Sequence, residues 1–469
     1  MESIANSAED LLIQGLSFKL PPGASYVLDR KSSTFWAVGS NSYTPVGGVK
    51  LIKFQLNGDD GNWLDPASVV FQFELVNTAT VGTAGNSVLR PLGQPHLFFK
   101  RVRVLAGGQV VEDIQDFNRN MELVASLQNE FVRDNNDIQG FGSRWDSTSL
   151  QNLNEFTPVD PTAITLEEIL AAQRPLLPQI DPQKSKIVNF KPLLGIFNQS
   201  KYLPLKYVPI ILEFELCDTN DAIITPQTYD ASTGYNTIYT TTNTTNLWQI
   251  QNCCIKCDIC TLDNALNNSY NEHLLAGKAL PLEYSTFISQ QSTVFGKNFS
   301  VQVIRAVSKL QRAFITFYIS PTNALPFNKP TITFHHPMSE STRYNPDKEI
   351  QLYMQLGSKL YPEYPCNNIS ECYYRLKQAL NLPELHQHAI SIKFKNYIKD
   401  KFVFAVCFEK IPDAEWSGVN TKAGQILMVN CKAMIEAGIT NNNIASTLYT
   451  LLEVQQILEI RDVGCTVFD

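Results

Sequence analysis

One pattern of secondary structure is predicted twice in this chain of 469 residues. Residues 96–128 predict a strand, a glycine turn, a second strand and an amphipathic helix, and residues 349–380 predict the same order. Gly107 and Gly357, which lie 250 positions apart, occupy equivalent places in the two turns. A β-rich unit that recurs at this spacing predicts two similar domains, each long enough to bury its own core.

The composition favours β-structure in both domains. Hydrophobic residues make up 44% and charged residues 18% of the chain, which is typical of a globular protein. The 26 Phe and 18 Tyr residues suit strands, and the 25 Pro and 23 Gly residues suit the turns between them. Residues 69–76 show the expected alternation, with Phe71, Phe73 and Leu75 on one predicted face and Gln72 and Glu74 on the other.

The order of the predicted elements selects among β architectures. Strands and helices do not alternate as a doubly wound parallel sheet requires, and no blade-length repeat indicates a propeller. Many short strands with long excursions favour antiparallel sandwiches with Greek-key crossovers. We therefore predict an all-β fold of two consecutive antiparallel jelly rolls, with a few short helices in the connections.

Shifts in composition predict the boundaries. The long polar excursion carries five Pro residues and one predicted helix over 165–172, and the linker segment holds nine Thr residues and no Lys, Arg or Glu. The predicted parts are an N-terminal arm or short helix at 1–20, a first jelly roll at 21–220 with the long excursion at 129–184, a Thr/Asn-rich linker or loops at 221–247, and a second jelly roll at 248–469.

Charge and hydrophobicity exclude several classes of protein. The net charge is −7, whereas a protein that coats nucleic acid by itself is usually basic, so contact with nucleic acid is expected to be at most local or indirect. The amino-terminal segment carries no basic cluster and predicts no secretory signal, and no apolar run is long enough to span a bilayer. Without a signal, the ten cysteines are expected to be thiols in a reducing compartment.

Four closely spaced cysteines could be metal ligands by their spacing: Cys253, Cys254, Cys257 and Cys260. They lie within a predicted strand, where Cys254 and Cys260 point to one face and Cys253 and Cys257 to the other. Four ligands cannot converge on one ion from opposite faces. We therefore predict buried thiols that act as small hydrophobic residues.

The remaining candidates for chemistry are two histidine pairs and two pairs of adjacent acids: His335 and His336, His386 and His388, Asp59 and Asp60, and Glu112 and Asp113. The histidines lack a metal-binding context, and adjacent acids in a strand or turn point apart, so they make poor acid/base pairs. The sequence also contains no nucleophile elbow and no phosphate-binding loop. We predict no catalytic, cofactor-binding or metal-binding residue, and no enzyme activity.

Two other motifs have plain interpretations. The glycosylation sequons at Asn198, Asn243, Asn267, Asn298 and Asn368 are expected to be chance matches in an Asn/Thr-rich chain without a signal peptide. In the predicted strand at 97–105, Arg101 and Arg103 share a solvated or subunit-facing side, whereas Lys100 is predicted on the side of Val102 and Val104.

Three sets of segments together resemble the major capsid proteins of polinton-like viruses and related small eukaryotic double-stranded DNA viruses. The segments, which occur in the expected order in both halves, are 98–114 with 117–119; 196–216; and 262–266, 270, 272–275, 277–281, 305–310 and 314–317. The segments 129–184 and 221–247 do not carry the resemblance.

The resemblance implies an all-β double jelly-roll, in which two consecutive antiparallel eight-stranded jelly rolls stand side by side in one chain. It further implies a homotrimer with a pseudo-hexagonal outline that tiles an icosahedral capsid around double-stranded DNA. The protein would then be part of the virion, with penton and minor or cement proteins as partners and no cofactor. We expect the segments 129–184 and 221–247 to contribute to trimer contacts or to the outer surface.

Two other functions stay open at this point. A glycan-binding jelly-roll protein would use exposed tryptophans, and the five Trp residues are scattered at 36, 63, 145, 248 and 416. A two-sandwich hydrolase of glycans or glycopeptides would need carboxylates that converge in a cleft, which the sequence does not mark.

Overall fold

The structure is a computed structural model that describes residues 26–59, 61–80, 88–89, 91, 94–128, 180–223, 245–294, 298–318, 350–382, 390, 392, 394–397, 402–410, 417–422, 424–433, 447–462 and 464–469. The predicted N-terminal arm, the helix over 165–172, all four paired histidines and most of the segments 129–184 and 221–247 lie outside these residues.

Eleven strands and one helix of the described chain build the first half. They are β1 (Val27–Trp36), β2 (Ser42–Tyr43), β3 (Leu51–Leu56), β4 (Asn62–Leu64), β5 (Val70–Asn77), β6 (Phe99–Ala106), β7 (Gln109–Gln115), α1 (Phe117–Ser126), β8 (Ser185–Phe190), β9 (Leu203–Pro204), β10 (Ile210–Leu216) and β11 (Trp248–Leu262).

The first half is a jelly roll. One sheet has the order β3-β10-β6-β7, and the facing sheet brings β1, β11, β5 and β8 together, with β2, β4 and β9 as short additions. The eight main strands can be numbered 1 to 8 in chain order; they are β1, β3, β5, β6, β7, β8, β10 and β11. In this numbering the two sheets have the orders 2-7-4-5 and 1-8-3-6, and all pairings between the strands are antiparallel. Crossovers of this kind put strands that are distant in sequence side by side, as in two Greek keys.

Phenylalanines fill the space between the two sheets of the first half. The alternation predicted for 69–76 is confirmed, since β5 alternates between buried and half-buried residues along its length. Phe71 of β5 meets Phe214 of β10 with ring centroids 4.6 Å apart, and Phe99 stacks on Phe190 at 5.6 Å. Each of these rings is at most 1% exposed, so this cluster supplies much of the apolar surface that the half buries.

Nine strands and three helices of the described chain build the second half. They are α2 (Asn264–Leu275), which leads into it, β12 (Leu280–Thr293), β13 (Asn298–Val303), β14 (Leu310–Tyr318), β15 (Ile350–Leu356), β16 (Lys359–Cys366), α3 (Ile369–Ala379), α4 (Phe394–Tyr397), β17 (Phe404–Cys407), β18 (Leu427–Ala433), β19 (Thr447–Arg461) and β20 (Gly464–Phe468).

The second half repeats the topology of the first. Its sheets have the orders β13-β18-β15-β16 and β12-β19-β14-β17, which are again 2-7-4-5 and 1-8-3-6, while β20 adds to the edge of β19. In both halves the fourth and fifth strands form a hairpin, and a helix follows directly (α1 or α3). Gly107 and Gly357 sit in these two hairpin turns with φ of 54° and 60°, a left-handed conformation that glycine adopts without strain. The predicted repetition is confirmed.

The boundary between the two jelly rolls lies further along the chain than the composition predicts. The composition predicts that the second half begins at 248, whereas strand β11, which begins at Trp248, pairs with β1 and β5 and so belongs to the first half. The Thr/Asn-rich segment 221–247 therefore joins the seventh strand of the first jelly roll to its eighth, and α2 leads from β11 to β12. A polar break in composition marks a long connection, and such a connection can lie within a sandwich as well as between two.

The predicted elements differ from the observed ones in extent and number. The amphipathic helix predicted at the end of the segment 96–128 begins at Phe117, because β7 continues to Gln115. Strands β12 and β20, which pair on opposite sides of β19, were not predicted from the sequence.

Candidate functional site

The cysteine cluster is part of the hydrophobic core. Cys253 and Cys257 lie in the core between the sheets of the first half, and Cys254 and Cys260 are buried on the other side of β11, so the predicted division between two faces is confirmed. Burial raises the pKa of the Cys257 thiol to about 12. Such thiols are poor metal ligands and poor nucleophiles, because both roles require the thiolate.

Glu112 and Asp113 point apart, as predicted, whereas Asp60 of the other acid pair lies outside the described residues. Glu112 is 2% exposed, whereas Asp113 points to solvent and accepts two hydrogen bonds from the Arg101 guanidinium, at 2.7 and 2.6 Å. A surface depression lies beneath β1, beside Lys31 and Ser33, and among its described lining residues Asp59 carries the one carboxylate. Hydrolysis of a glycoside uses two carboxylates across one cleft, and the described lining residues of this depression include one.

The basic run lies on the outer face of the sheet that contains β6. Arg103 binds Glu213 of the neighbouring strand β10, just as Arg101 binds Asp113 of β7, so both arginines have carboxylate partners within the sheet. Lys100 does not share the buried face of Val102 as predicted, because the pairing with β10 shifts register between Phe99 and Arg101 and Lys100 is exposed.

Some of the sequon asparagines and tryptophans cap a helix or are buried. Asn368 caps helix α3 by accepting a hydrogen bond from the Glu371 N–H at 2.6 Å, and Asn267 is 8% exposed within α2. Trp63 and Trp248 are buried, whereas Trp36 at the end of β1 is exposed. Trp145 and Trp416 lie outside the described residues.

The two jelly rolls share a buried junction. Strands β12 and β19 form a long ribbon with 14 paired positions, and one end of this ribbon extends over β7 of the first half. Five residues of this end, together with β20, belong to the hydrophobic core of the first half: Leu282, Tyr284, Leu458, Ile460 and Cys465. Because these apolar side chains are buried only while the halves touch, the contact stabilises one relative placement of the jelly rolls.

Glu112 lies at the centre of this junction. Its carboxylate accepts hydrogen bonds from the Gly195 N–H at 2.8 Å and the Ile196 N–H at 3.3 Å, and a further one from the Thr286 side chain of the second half. A carboxyl group buried between two domains costs free energy unless such donors compensate it. The junction therefore contains one acid that both jelly rolls satisfy.

Burial determines the electrostatics of the junction. Burial raises the pKa of Glu112 from its ordinary value of 4.5 to about 7, although the three hydrogen-bond donors lower it in part. The pKa of the neighbouring Tyr284 hydroxyl is also raised, first by burial and then by the charge of Glu112. The junction thus favours the neutral form of both groups.

Gly195 allows the backbones of the two halves to approach closely. A Cβ atom at this position would lie 2.0 Å from the carbonyl oxygen of Ser285 in β12 and 2.9 Å from Glu112 Oε1. Any side chain larger than hydrogen would therefore push β12 away from the first half.

Polar contacts surround the buried centre. The Tyr284 hydroxyl donates to the Val111 carbonyl at 3.1 Å, and the Ser289 hydroxyl donates to the Gln115 carbonyl at 2.7 Å. Tyr449 of β19 binds Asn120 of helix α1. This junction was not predicted from the sequence, because β12 was not predicted. The alternation of Leu282, Tyr284 and Thr286 with more exposed residues is the signal that could have identified β12.

Exposed apolar residues mark surfaces outside the junction. The largest exposures among the described residues are those of Tyr364, Ile304, Val46, Leu275 and Leu28. In the part of the chain that the structure describes, no helix is long and apolar enough to cross a membrane.

The fold matches solved structures of viral capsid proteins along almost the whole chain. No protein-family model and no curated protein matches the sequence. The Faustovirus major capsid protein superposes with a TM-score of 0.57 at 10% identity, over 95% of this chain and 92% of that one. The VP54 protein of the virus PBCV-1, in a crystal structure fitted into a cryo-EM reconstruction of the virophage Sputnik, gives 0.55 at 12% identity over 96% and 98%.

This chain has the double jelly-roll fold. A cryo-EM structure of the Sputnik virophage contains a further chain with this fold, with a TM-score of 0.55 at 10% identity over 96% of this chain and 90% of that one. At such identities the comparisons establish the arrangement of the strands, which agrees with the two sets of sheets described above, and confirm the predicted fold class.

Proposed function

We propose that this chain is a major capsid protein. It acts by assembly: three copies form a homotrimer with a pseudo-hexagonal outline, and these trimers tile an icosahedral shell that encloses a double-stranded DNA genome. The main support for the proposal is the double jelly-roll fold. The superposition on the PBCV-1 protein covers 96% of this chain and 98% of that one.

The geometry of one chain supports a role as a building block. Two jelly rolls of the same topology are held together by a junction that buries apolar residues of both, so each chain offers two similar edges at a fixed spacing. Three such chains present six similar edges, which suits hexagonal packing, and closed cyclic assemblies are the common form of homo-oligomers.

The proposal includes location and partners. The protein is part of the capsid shell of the virion, and it contacts neighbouring trimers, penton proteins and minor or cement proteins. Its net charge of −7 makes any contact with the viral DNA indirect. We propose no enzyme activity and no cofactor.

The alternatives receive less support from the described residues. Glycan binding would need an aromatic platform, and of the tryptophans described only Trp36 is exposed, whereas Trp63 and Trp248 are core residues. A hydrolase would need two converging carboxylates, and among the described residues that line the depression beneath β1, Asp59 is the one acid.

Native mass spectrometry of the purified protein tests the proposal. The expected species has three times the chain mass of 52.7 kDa, over a dilution series that extends below micromolar concentration. A protein that stays monomeric at all concentrations, salt conditions and pH values would contradict the proposal.

A further inference from the structure

Three buried cysteines lie close together in the core of the second jelly roll. Cys366 ends strand β16, Cys372 lies in the first turn of helix α3, and Cys431 belongs to strand β18. All three belong to the hydrophobic core of this half and are at most 4% exposed. Their positions in the fold determine which of them can react with one another.

Strand register places Cys366 and Cys431 on the same face of one sheet. Strand β15 runs between them, and its residue Leu352 pairs with Cys366 on one side and with Cys431 on the other. Residues that pair directly point to one face, and Leu352 is fully buried, so both thiols point into the core. Two strand spacings separate their backbones by about 9–10 Å. A disulfide needs Cα atoms within about 7 Å, so these two cysteines are too far apart for one.

The turn from β16 into α3 brings Cys372 back to Cys366. The side chain of Asn368 caps the helix by accepting a hydrogen bond from the Glu371 N–H at 2.6 Å. The Asn368 carbonyl oxygen accepts from the Cys372 N–H at 3.1 Å. With the helix fixed in this way, the side chains of Cys372 and Cys366 are hydrogen-bonded to each other. Two thiols in contact need little movement of the backbone to form a disulfide.

The surroundings keep this pair unreactive in its thiol form. The hydrogen bond to Cys366 and burial both raise the pKa of the Cys372 thiol. Because the thiolate is the form that attacks a disulfide, the pair reacts slowly with oxidants. Such a pair stays reduced in the reducing interior of a cell and oxidises only on long exposure to an oxidising medium.

We propose that Cys366 and Cys372 form a disulfide within the chain when the protein passes from a reducing to an oxidising medium, and that this bond ties helix α3 to strand β16. The bond closes a small ring through residues 367–371, which restricts the unfolded chain and so stabilises the second jelly roll. The passage from the host cell to the exterior rests on the proposed function, whereas the disulfide itself does not.

The oxidant is a small-molecule disulfide such as glutathione disulfide. One cysteine of the pair, as a thiolate, attacks it, forms a mixed disulfide and releases the first glutathione. The second cysteine then attacks the protein sulfur of the mixed disulfide and releases the second glutathione. In sum, a bond forms between the Sγ atoms of Cys366 and Cys372 and the S–S bond of the oxidant breaks. The protein gives up two electrons and two thiol protons, which both glutathione molecules take up.

Mass spectrometry of the folded protein in glutathione redox buffers tests the proposal. Both cysteines lie in the tryptic peptide 360–375. After oxidation and blocking of free thiols, this peptide should carry no blocking group and be lighter by two hydrogen atoms than the unblocked reduced peptide. Dithiothreitol should reverse the change. A parallel sample, in which an alkylating reagent labels Cys372, shows how long small molecules need to reach the pair.

Thermal unfolding measures what the disulfide does. The oxidised wild-type protein should melt about 3–8 °C higher than the reduced protein. Cys366→Ser and Cys372→Ser should each abolish this rise, because each removes one partner. Cys431→Ser is the matched control: Cys431 is buried in the same core but is too far from Cys366, so the variant should keep the rise. Circular dichroism establishes that each variant is folded.

The outcomes are distinct from those that test the capsid function. A peptide 360–375 that keeps both thiols after Cys372 has become accessible to the alkylating reagent overturns the proposal. A rise in melting temperature that persists in Cys372→Ser, or that is lost in folded Cys431→Ser, overturns the assignment of the pair. None of these results depends on the number of chains that assemble, so the proposed function stands or falls separately.

Discussion

Replacing Glu112 by Gln should change how the stability of the protein depends on pH. The carboxyl group is 2% exposed and satisfied by groups of both jelly rolls, and burial raises its pKa from 4.5 to about 7. Because the folded pKa is above the unfolded one, the folded state holds the proton more tightly. The stability that Glu112 contributes is therefore fully present below about pH 4.5 and is lost as the pH rises through about 7.

The size of the effect follows from the two pKa values. At about 1.36 kcal/mol per pKa unit, the full difference corresponds to roughly 3 kcal/mol, most of which falls between pH 5 and pH 8.5. Glu112→Gln keeps an oxygen that can accept from the Gly195 N–H, but it cannot ionise. The variant should thus gain roughly 2–3 kcal/mol relative to the wild type between pH 5 and pH 8.5.

Urea unfolding at equal protein concentrations, followed by fluorescence at pH 5 and pH 8.5, measures this difference. Asp113→Asn is the control, because Asp113 is the next residue of the same strand and pairs with Arg101 at the surface. It should lower the free energy of unfolding by about 1 kcal/mol at most and keep the pH dependence of the wild type. A Glu112→Gln variant with the same pH dependence as the wild type would refute the buried position of this acid.

Three further experiments test the junction, the core and the cysteines. Gly195→Ala should lower the free energy of unfolding by about 1–3 kcal/mol, because its Cβ would lie 2.0 Å from the Ser285 carbonyl oxygen. Gly277→Ala is the control: it has open space around it and should cost only about 1 kcal/mol because of its positive φ. Urea titration measures the free energy of unfolding of both variants. Phe71→Ala should lower the free energy of unfolding by about 3–5 kcal/mol in the same assay, and a loss below about 1 kcal/mol would contradict the ring cluster. Thiol labelling in native buffer should be slow at nine of the ten cysteines and complete only after unfolding, and fast labelling of the cluster in β11 would show that it is accessible.

The sequence predicted the fold where one local pattern determined the element. The alternation in β5 and the glycine turns at Gly107 and Gly357 have local causes, namely burial of one strand face and a left-handed backbone. The outward direction of Asp113 and the burial of the cysteines in β11 followed from the same alternation. These features needed no knowledge of distant residues.

The junction could not be predicted in the same way, because its partners are distant in sequence. Glu112 is buried only because β12 and the turn at Gly195 close over it, and these lie more than 80 residues away along the chain. Likewise, the boundary at 248 was misplaced because the pairing of β11 with β1 joins residues more than 200 positions apart. Long-range pairings of this kind depend on the topology of the whole sandwich.

Single-particle cryo-EM of the purified protein tests whether this double jelly-roll chain is a self-assembling shell subunit. We expect particles of three chains with a six-sided outline, in which each chain contributes two adjacent jelly rolls joined at Glu112. Particles that contain one isolated chain, or oligomers in which the jelly rolls form no closed ring, would rule out this role.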